Sequence, residues 1–481
     1  MRQASGGPSP DRRPGLLLPV LVLAGGGYSL VQSLVVPALP TLQQRLHTTQ
    51  TGAAWIFTAF LLSAAVATPL AGRLGDMYGR RRILLWTLAG LSLGILVAAL
   101  TSSLGVMLAA RVLQGLGGAI FPLAFGIIRD ELDAGSVARG TAWMSAILGA
   151  GGVLGIVLAG PILEHLSSHW LFWIPLVVTA ATTAAAFWVV PHRPAAHTGG
   201  VNWLSAALLG GWLVLLLLGV SEGPSWGWAS TRVIGLFAGA IVLALAWLAA
   251  ESRARTPLVD LRMLRGRGVW TTNVVAVLVG WGMYSAFVLV PQLIEAPVSA
   301  GGFGASVARA GLYLVPWTAA VAISSAASGR LSARFGSRHP LIIGCVISTA
   351  GFAWLLDQND HPWQILVAST ALGAGTGFAF ASMVNLVIES VGSEQTGIAT
   401  GMNILMRTVG GAVGTQVAAS VLAATLAADG TQTHRGFEIA FGIGAIMLAL
   451  ATLAAFAAPR GNRGGAHAHA PQVRPAPCPD S

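Results

Sequence analysis

Lysine is absent from this chain: all 27 basic residues among its 481 are arginine. Charge of either sign is scarce, at 9% of residues, and only 17 of those are acidic. The two cysteines, Cys345 in an apolar run and Cys478 near the C-terminal end, have a spacing that suits neither a metal site nor a disulfide framework. Both are read as structurally incidental, and no cofactor is expected. None of the 17 acids and none of the 10 histidines falls near the middle of an apolar stretch. That removes the paired acids, metal-ligand clusters and nucleophile–base pairs that an intramembrane enzyme would need, so an enzyme is not expected.

What the chain has instead is apolar length. Hydrophobic residues make up 54% of it and the mean hydropathy is +0.72. Stretches of about 20 apolar residues recur from Gly15 to Ala458, fourteen in all, and leave no room for a soluble domain. The first, after Arg12-Arg13, runs into Pro37-Ala38-Leu39-Pro40 without a convincing cleavage site, so it reads as a retained helix rather than a signal peptide. An even number of crossings puts both termini on one side. Of the 27 arginines, 21 fall in termini and connections on that side, Arg45, Arg232, Arg309 and Arg435 lie opposite, and Arg111 and Arg407 sit within spans. This asymmetry predicts cytoplasmic termini. The formal charge of +10 then reflects topology and contact with anionic lipid head groups, and no nucleic-acid partner is expected.

A repeat underlies the count. Gly72-Arg73-Leu74-Gly75-Asp76-Met77-Tyr78-Gly79-Arg80-Arg81-Arg82 returns 257 positions later in worn form as Gly329-Arg330-Leu331-Ser332-Ala333-Arg334-Phe335-Gly336-Ser337-Arg338. The first copy resembles the signature loop between the second and third helices of the major facilitator superfamily, whose weaker copy lies in the second half. The resemblance implies an all-α membrane protein: two six-helix halves plus a two-helix insertion, fourteen transmembrane helices in all, with a cavity near the midplane. The expected divisions are a cytoplasmic N-terminus over 1–14, a first half over 15–195, the insertion over 196–261, a second half over 262–459 and a disordered cytoplasmic tail over 460–481. The tail's Ala466-His467-Ala468-His469 tract reads as solvated low complexity rather than a metal site.

Within the motif the glycines allow a tight turn and close helix approach, and the arginines hold the loop at the cytoplasmic face. The resemblance makes Gly72, Asp76, Gly79, Arg80 and Arg81 a conformational latch. Its acid would face the N-terminal end of the thirteenth helix, where the macrodipole favours a carboxylate. Met77 stands where the family commonly has a basic residue, which weakens the local charge network. In the fourth span Arg111-Val112-Leu113-Gln114-Gly115-Leu116-Gly117 resembles the family's second motif and implies a part in proton coupling for Arg111; an arginine that merely packs against carbonyls weighs equally. Arg407, read as lying close to a cytoplasmic helix end, is expected to snorkel. In the fifth span Gly151, Gly155 and Gly160 match the antiporter motif, although Ile156 replaces its proline and Ala159 a glycine. Small residues at this spacing also permit close packing whatever the function.

The larger departure is in the first span, where Val31 and Val36 occupy positions at which most fourteen-helix exporters carry Asp and Asn. With no acid near mid-membrane, Glu295 at the outer end of the ninth span is the proton-carrier candidate. The expected cavity lining is neutral: Gln32, Ser33, Asn273, Tyr284, Gln292, Asn385, Asn403 and Gln416, although such residues bridge helices more often than they touch ligand. An apolar pocket with a few neutral donors suits a lipophilic or amphipathic solute.

Together the three motifs resemble the bacterial fourteen-helix drug:proton antiporter family over nearly the whole chain. The expected function is export of drug- or antibiotic-like molecules in exchange for protons by alternating access. The expected setting is a bacterial plasma membrane and the expected unit a monomer, with small-molecule substrate, protons and membrane lipid as partners. Abundant Arg, Ala and Gly without Lys points to a GC-rich genome. The alternatives are an uptake facilitator or symporter for a small neutral metabolite, and a non-transporting sensor that keeps the fold.

Overall fold

The computed structural model describes residues 14–48, 50–192, 202–254, 259–298, 302–357, 361–392, 395–425 and 433–459. The expected histidine tract and the boundaries at 1–13 and 460–481 lie outside them. The described residues are helical, with no strand among them, as a chain must be if lipid offers its backbone no hydrogen-bond partner. In chain order come α1 (Pro14–Arg45), α2 (Gln50–Tyr78), α3 (Arg80–Leu100), α4 (Leu104–Gly115), α5 (Ile120–Glu131), α6 (Ala134–His165) and α7 (Trp170–Val189). Then follow α8 (Trp203–Trp226), α9 (Thr231–Arg253), the short α10 (Leu261–Arg265), α11 (Arg267–Glu295), α12 (Val307–Tyr313) and α13 (Val315–Phe335). Last are α14 (Arg338–Asp357), α15 (Pro362–Ser390), α16 (Thr396–Ala424) and α17 (His434–Phe456).

Joining α4 to α5 through the 3-10 turn Leu116–Ala119, and α12 to α13, gives one element for each of the fourteen expected spans. Thirteen are long and apolar enough to cross a membrane; α16 has the length but not the hydropathy. Its run of Gly, Thr, Asn and Arg407 explains why, because it is buried among other helices instead of facing lipid. By contrast α9 turns Ile241, Val242 and Leu245 outward.

Three apolar clusters organise the bundle. One is built almost entirely from α1 to α7 and another mainly from α11 to α17. The third forms where α8, α9 and α10 meet α2, α11, α15 and α16. Two helix pairs join the first two groups: α2 packs on α16, and α6 packs on α13. Glycine sets their closeness. A Cβ on Gly72 would lie 2.5 Å from the Gly397 carbonyl oxygen, and one on Gly329 would lie 2.9 Å from that of Ala138. These two glycines stand 257 positions apart, so the repeat builds matching contacts on the two flanks of the bundle.

The signature is less of a loop than expected. α2 continues through Gly72, Gly75 and Asp76 to Tyr78, and the whole reversal into α3 falls on Gly79 at φ 96°. Its counterpart Gly336, between α13 and α14, has φ 86°. Only glycine takes that conformation without strain. Gly75 needs to be small for a different reason, since a Cβ there would meet the Leu123 side chain at 2.2 Å.

Candidate functional site

At the end of the bundle that carries the arginine-rich connections, hereafter the basic end, charged groups of the first helix group terminate helices of the second. The carboxylate of Asp76 is buried and accepts from the Ile398 backbone N–H at 3.3 Å. Ile398 lies in the first turn of α16, whose own N-cap, Gln395, supplies no side-chain acceptor. An acid from α2 thus satisfies one of the N–H groups that every helix start leaves unpaired, at the positive end of the dipole. Arg80 holds that acid through Nη2 at 2.7 Å and Nε at 3.0 Å, while its Nη1 reaches Asp130 and the Gly126 carbonyl. Met77 is buried and leaves this network to Arg80 alone.

Arg129 does the converse at a helix C-terminus. It donates to the Val391 carbonyl at 2.9 Å, the Gly392 carbonyl at 3.1 Å and the Thr396 hydroxyl. Those carbonyls follow α15, where a cation is favoured. Arg81, expected in the same cluster, lies elsewhere: it donates to the Phe187 carbonyl at 2.6 Å and covers the Phe187 ring at the end of α7.

Deeper in the bundle two arginines are buried. Arg111 on α4 is 0% exposed and donates to the carbonyls of Ile56 and Val31 at 3.0 and 3.4 Å and to Gln114 at 2.5 Å, with its guanidinium 4.5 Å from the centre of the Phe60 ring. Gln114 in turn donates to the Gly94 carbonyl at 2.9 Å, tying α4 to α3. Arg407 on α16 is 2% exposed and stacks 4.2 Å above the centre of the Phe380 ring. The expectation that it snorkels is therefore corrected: it lies eleven residues into a helix whose neighbours cover it. Tyr28 on α1 is within electrostatic reach of both arginines, and Tyr284 on α11 is within reach of Arg407 and is contacted by Gln32. The neutral lining expected from the sequence therefore surrounds a pair of cations.

The other expected polar residues divide. Asn403 bridges to Asn273 at 3.1 Å and to the Thr272 carbonyl at 3.3 Å, so this pair ties α16 to α11. Asn385 accepts from Thr141 at 2.5 Å and ties α15 to α6. Ser33 donates to the Ser29 and Gly151 carbonyls at 2.7 and 3.2 Å. Gly151 and Gly155 of α6 make room for Ser29 and Ser33 of α1, since added Cβ atoms would meet those side chains at 2.5 and 1.9 Å, and Gly160 lies further along α6, partly buried. Gln292 is half-buried and Glu295 exposed at the far end of α11. A cavity of 290 Å³ lies beside the arginine pair, bounded by Tyr284, Gln416, Phe57, Thr58 and Leu61 together with Leu217 and Ser221 of α8.

The family model described as Major Facilitator Superfamily matches residues 21–415 and, in a second match, 272–477. The chain belongs to the Major Facilitator Superfamily. Two overlapping matches to one model fit the internal repeat. The chain is 27% identical over 413 residues to the tetracenomycin C resistance and export protein of Streptomyces glaucescens, covering 84% of this chain and 76% of that protein. It is likewise 27% identical over 377 residues to the multidrug transporter protein MdtP of Bacillus subtilis, covering 76% and 68%. A longer, uncharacterized mycobacterial transporter of the same type is spanned over 60% of its length. Among solved structures, the human organic anion transporter MFSD10 aligns with a TM-score of 0.65 at 19% identity, covering 92% of this chain and 99% of that one, and shares its fold.

Within this superfamily member the geometry brings together Gly72, Asp76, Gly79 and Arg80 from the expected group, and Arg111 with Gln32 and Tyr284 from two others. Arg129, Tyr28 and the central position of Arg407 were missed. For Arg129 a signal existed: Arg129-Asp130-Glu131 is a dense run of both signs in a chain that is 9% charged. For Tyr28 and Arg407 none did, because their proximity is a product of packing between helices nearly 380 residues apart in the chain.

Proposed function

We propose that this superfamily member exports amphipathic small molecules in exchange for protons by alternating access, with the basic end cytoplasmic. The observation that carries the reading is the pair of complementary helix-end contacts, Asp76 on the start of α16 and Arg129 on the end of α15. Both close the basic end by joining the two helix groups through backbone atoms that have no equivalent partner once the groups separate. A contact of this kind belongs to one conformational state and biases the balance between states by its own free energy. Gly72, Asp76, Gly79, Arg80 and Arg129 act in this reading as a latch on the outward-facing state. Arg81 anchors α3 to α7 within one half.

The solute class follows from the cavity beside the arginine pair, which is mostly apolar with a few hydroxyl and amide groups to orient a ligand. Relatives named for tetracenomycin C export and multidrug transport support the direction. Cells carrying the protein should accumulate less of an amphipathic dye while energised, and a protonophore should restore the level of cells lacking it. Energised accumulation above that level would make the protein an uptake system instead.

A further inference from the structure

We propose that Arg111 and Arg407, together with Tyr28 and Tyr284, form the recognition site for the carboxylate of an organic anion whose apolar body occupies the adjoining cavity. The proposal names the solute class of the export reading, and rests on that reading only for calling the ligand a transported solute.

The charge balance motivates it. Arg111 and Arg407 come from different helix groups, one on α4 and the other on α16, and both are all but inaccessible. Among the described residues neither forms an ion pair; the buried acid Asp76 is engaged by Arg80 and Ile398 at the basic end. A buried guanidinium without a counter-charge is costly, by several kcal/mol for each ion. Stacking on Phe60 and Phe380 and the carbonyls around Arg111 offset part of that cost without supplying negative charge.

The donor inventory points the same way. Each guanidinium carries five N–H bonds in one plane. Arg111 leaves Nη2 without a partner, and Arg407 leaves both Nε and Nη1. In each case the flat face lies on an aromatic ring, so the unused donors are at the rim. A rim with two free N–H groups is the geometry that grips both oxygens of a carboxylate. The phenol of Tyr284 stands between Arg407 and the cavity wall, held by Gln32, and Tyr28 lies within reach of both cations. These hydroxyls can donate to the same anion. The apolar remainder has 290 Å³ bounded by Phe57, Leu61 and Leu217, near the lower limit for a drug-sized ligand.

Because Arg111 and Arg407 sit on opposite helix groups, an anion between them attracts both at once. It would stabilise arrangements in which the two cations are close, and its departure would leave them repelling each other.

The test uses three fluorescent probes with one apolar body, pyrenebutyrate, its neutral amide pyrenebutyramide and the cation pyrenebutylamine, titrated into the full-length protein in lipid nanodiscs without any gradient. The carboxylate should bind about tenfold more tightly than the amide, and the amine least. In Arg407→Gln the ratio of carboxylate to amide affinity should fall close to one, and Arg407→Lys, which keeps the charge but loses the fork, should restore part of it. Replacing chloride by gluconate should leave the ratio unchanged. Equal affinity for carboxylate and amide in the unaltered protein would overturn the proposal, as would a preference that survives Arg407→Gln or one that chloride abolishes, which would mark an inorganic-anion site. Failure here and failure of the export reading are separable: a protein that lowers dye accumulation in cells yet binds carboxylate and amide alike loses this site and keeps its export reading. One that prefers the carboxylate but never lowers accumulation loses export and keeps the site.

Discussion

At the scale of single residues, the most informative contact is the one Asp76 makes with a backbone N–H of another helix. Its carboxylate is shared between Arg80 and Ile398, so one substitution removes a charge from a buried pair and a cap from α16. Asp76→Asn preserves shape but leaves Arg80 with Asp130 as its remaining acid and weakens the attraction to the helix dipole, which is worth up to about 2 kcal/mol in a partly buried setting. Abundance in the membrane should stay within about twofold, whereas dye export should fall roughly tenfold, because a bias of about 1.4 kcal/mol between states is a tenfold change in their ratio. Labelling of a cysteine introduced at the basic end should rise in parallel. Export equal to the unaltered protein would take Asp76 out of the mechanism. The glycines around it show how one residue type serves two purposes: Gly79 is required by its positive φ, Gly72 by the Gly397 carbonyl pressed against it.

At the scale of helices, α16 connects both halves and the inserted pair: it packs on α2, on α11 and on α8. Its approach to α11 depends on missing side chains. A Cβ on Gly410 would come within 1.9 Å of the Val277 carbonyl oxygen, a position no backbone can yield cheaply. Gly410→Ala should therefore cost stability, on the order of 1–3 kcal/mol as overpacked positions do. Gly235, inside α9, has nothing within 4 Å of the same added atom, so Gly235→Ala should be neutral or stabilising by up to about 1 kcal/mol. Thermal unfolding midpoints of the two variants in detergent, compared with the unaltered protein, check both at once; a Gly410→Ala midpoint at or above that of Gly235→Ala would refute the packing account.

For the whole molecule, the arginine distribution fixes an orientation that a fusion experiment reads directly. Glu222, which the apolar pattern puts at a span end, is buried in the last turns of α8 and accepts from Ser225 at 2.8 Å, so a reporter placed there would break a helix. The reversal at Gly227 to Ser230, where Gly227 has φ 83°, is the place for it. Alkaline phosphatase inserted after Trp228 should be active outside, and a fluorescent protein fused after Ser481 should fluoresce in the cytoplasm. Phosphatase activity confined to the cytoplasm would reverse the orientation and with it the sense of the latch. The inserted pair also shapes the cavity, because α8, through Thr58 and Ser221 at 3.3 Å, closes its flank between α2 and α16.

Composition and spacing alone determined the membrane class, the repeat with its offset of 257 residues and the superfamily, because long apolar stretches and a Gly-x-Leu-x-Asp-x-x-Gly-Arg-Arg run are local properties of the chain. Asp76 was legible for the same reason, as the single acid in a basic turn. Tertiary structure decided everything that depends on which helix stands next to which. Hydropathy ranks residues by their own polarity, so it read Arg407 as a helix-end residue, whereas burial is set by the neighbours that cover it, here Phe380 and Gly280. It likewise made Asn273, Asn385 and Asn403 equivalent lining candidates, although two of them satisfy each other between α11 and α16 and the third meets Thr141. The charge at the centre of the bundle was invisible for a related cause: two arginines 296 positions apart become one electrostatic feature only when two halves of a repeat fold face to face.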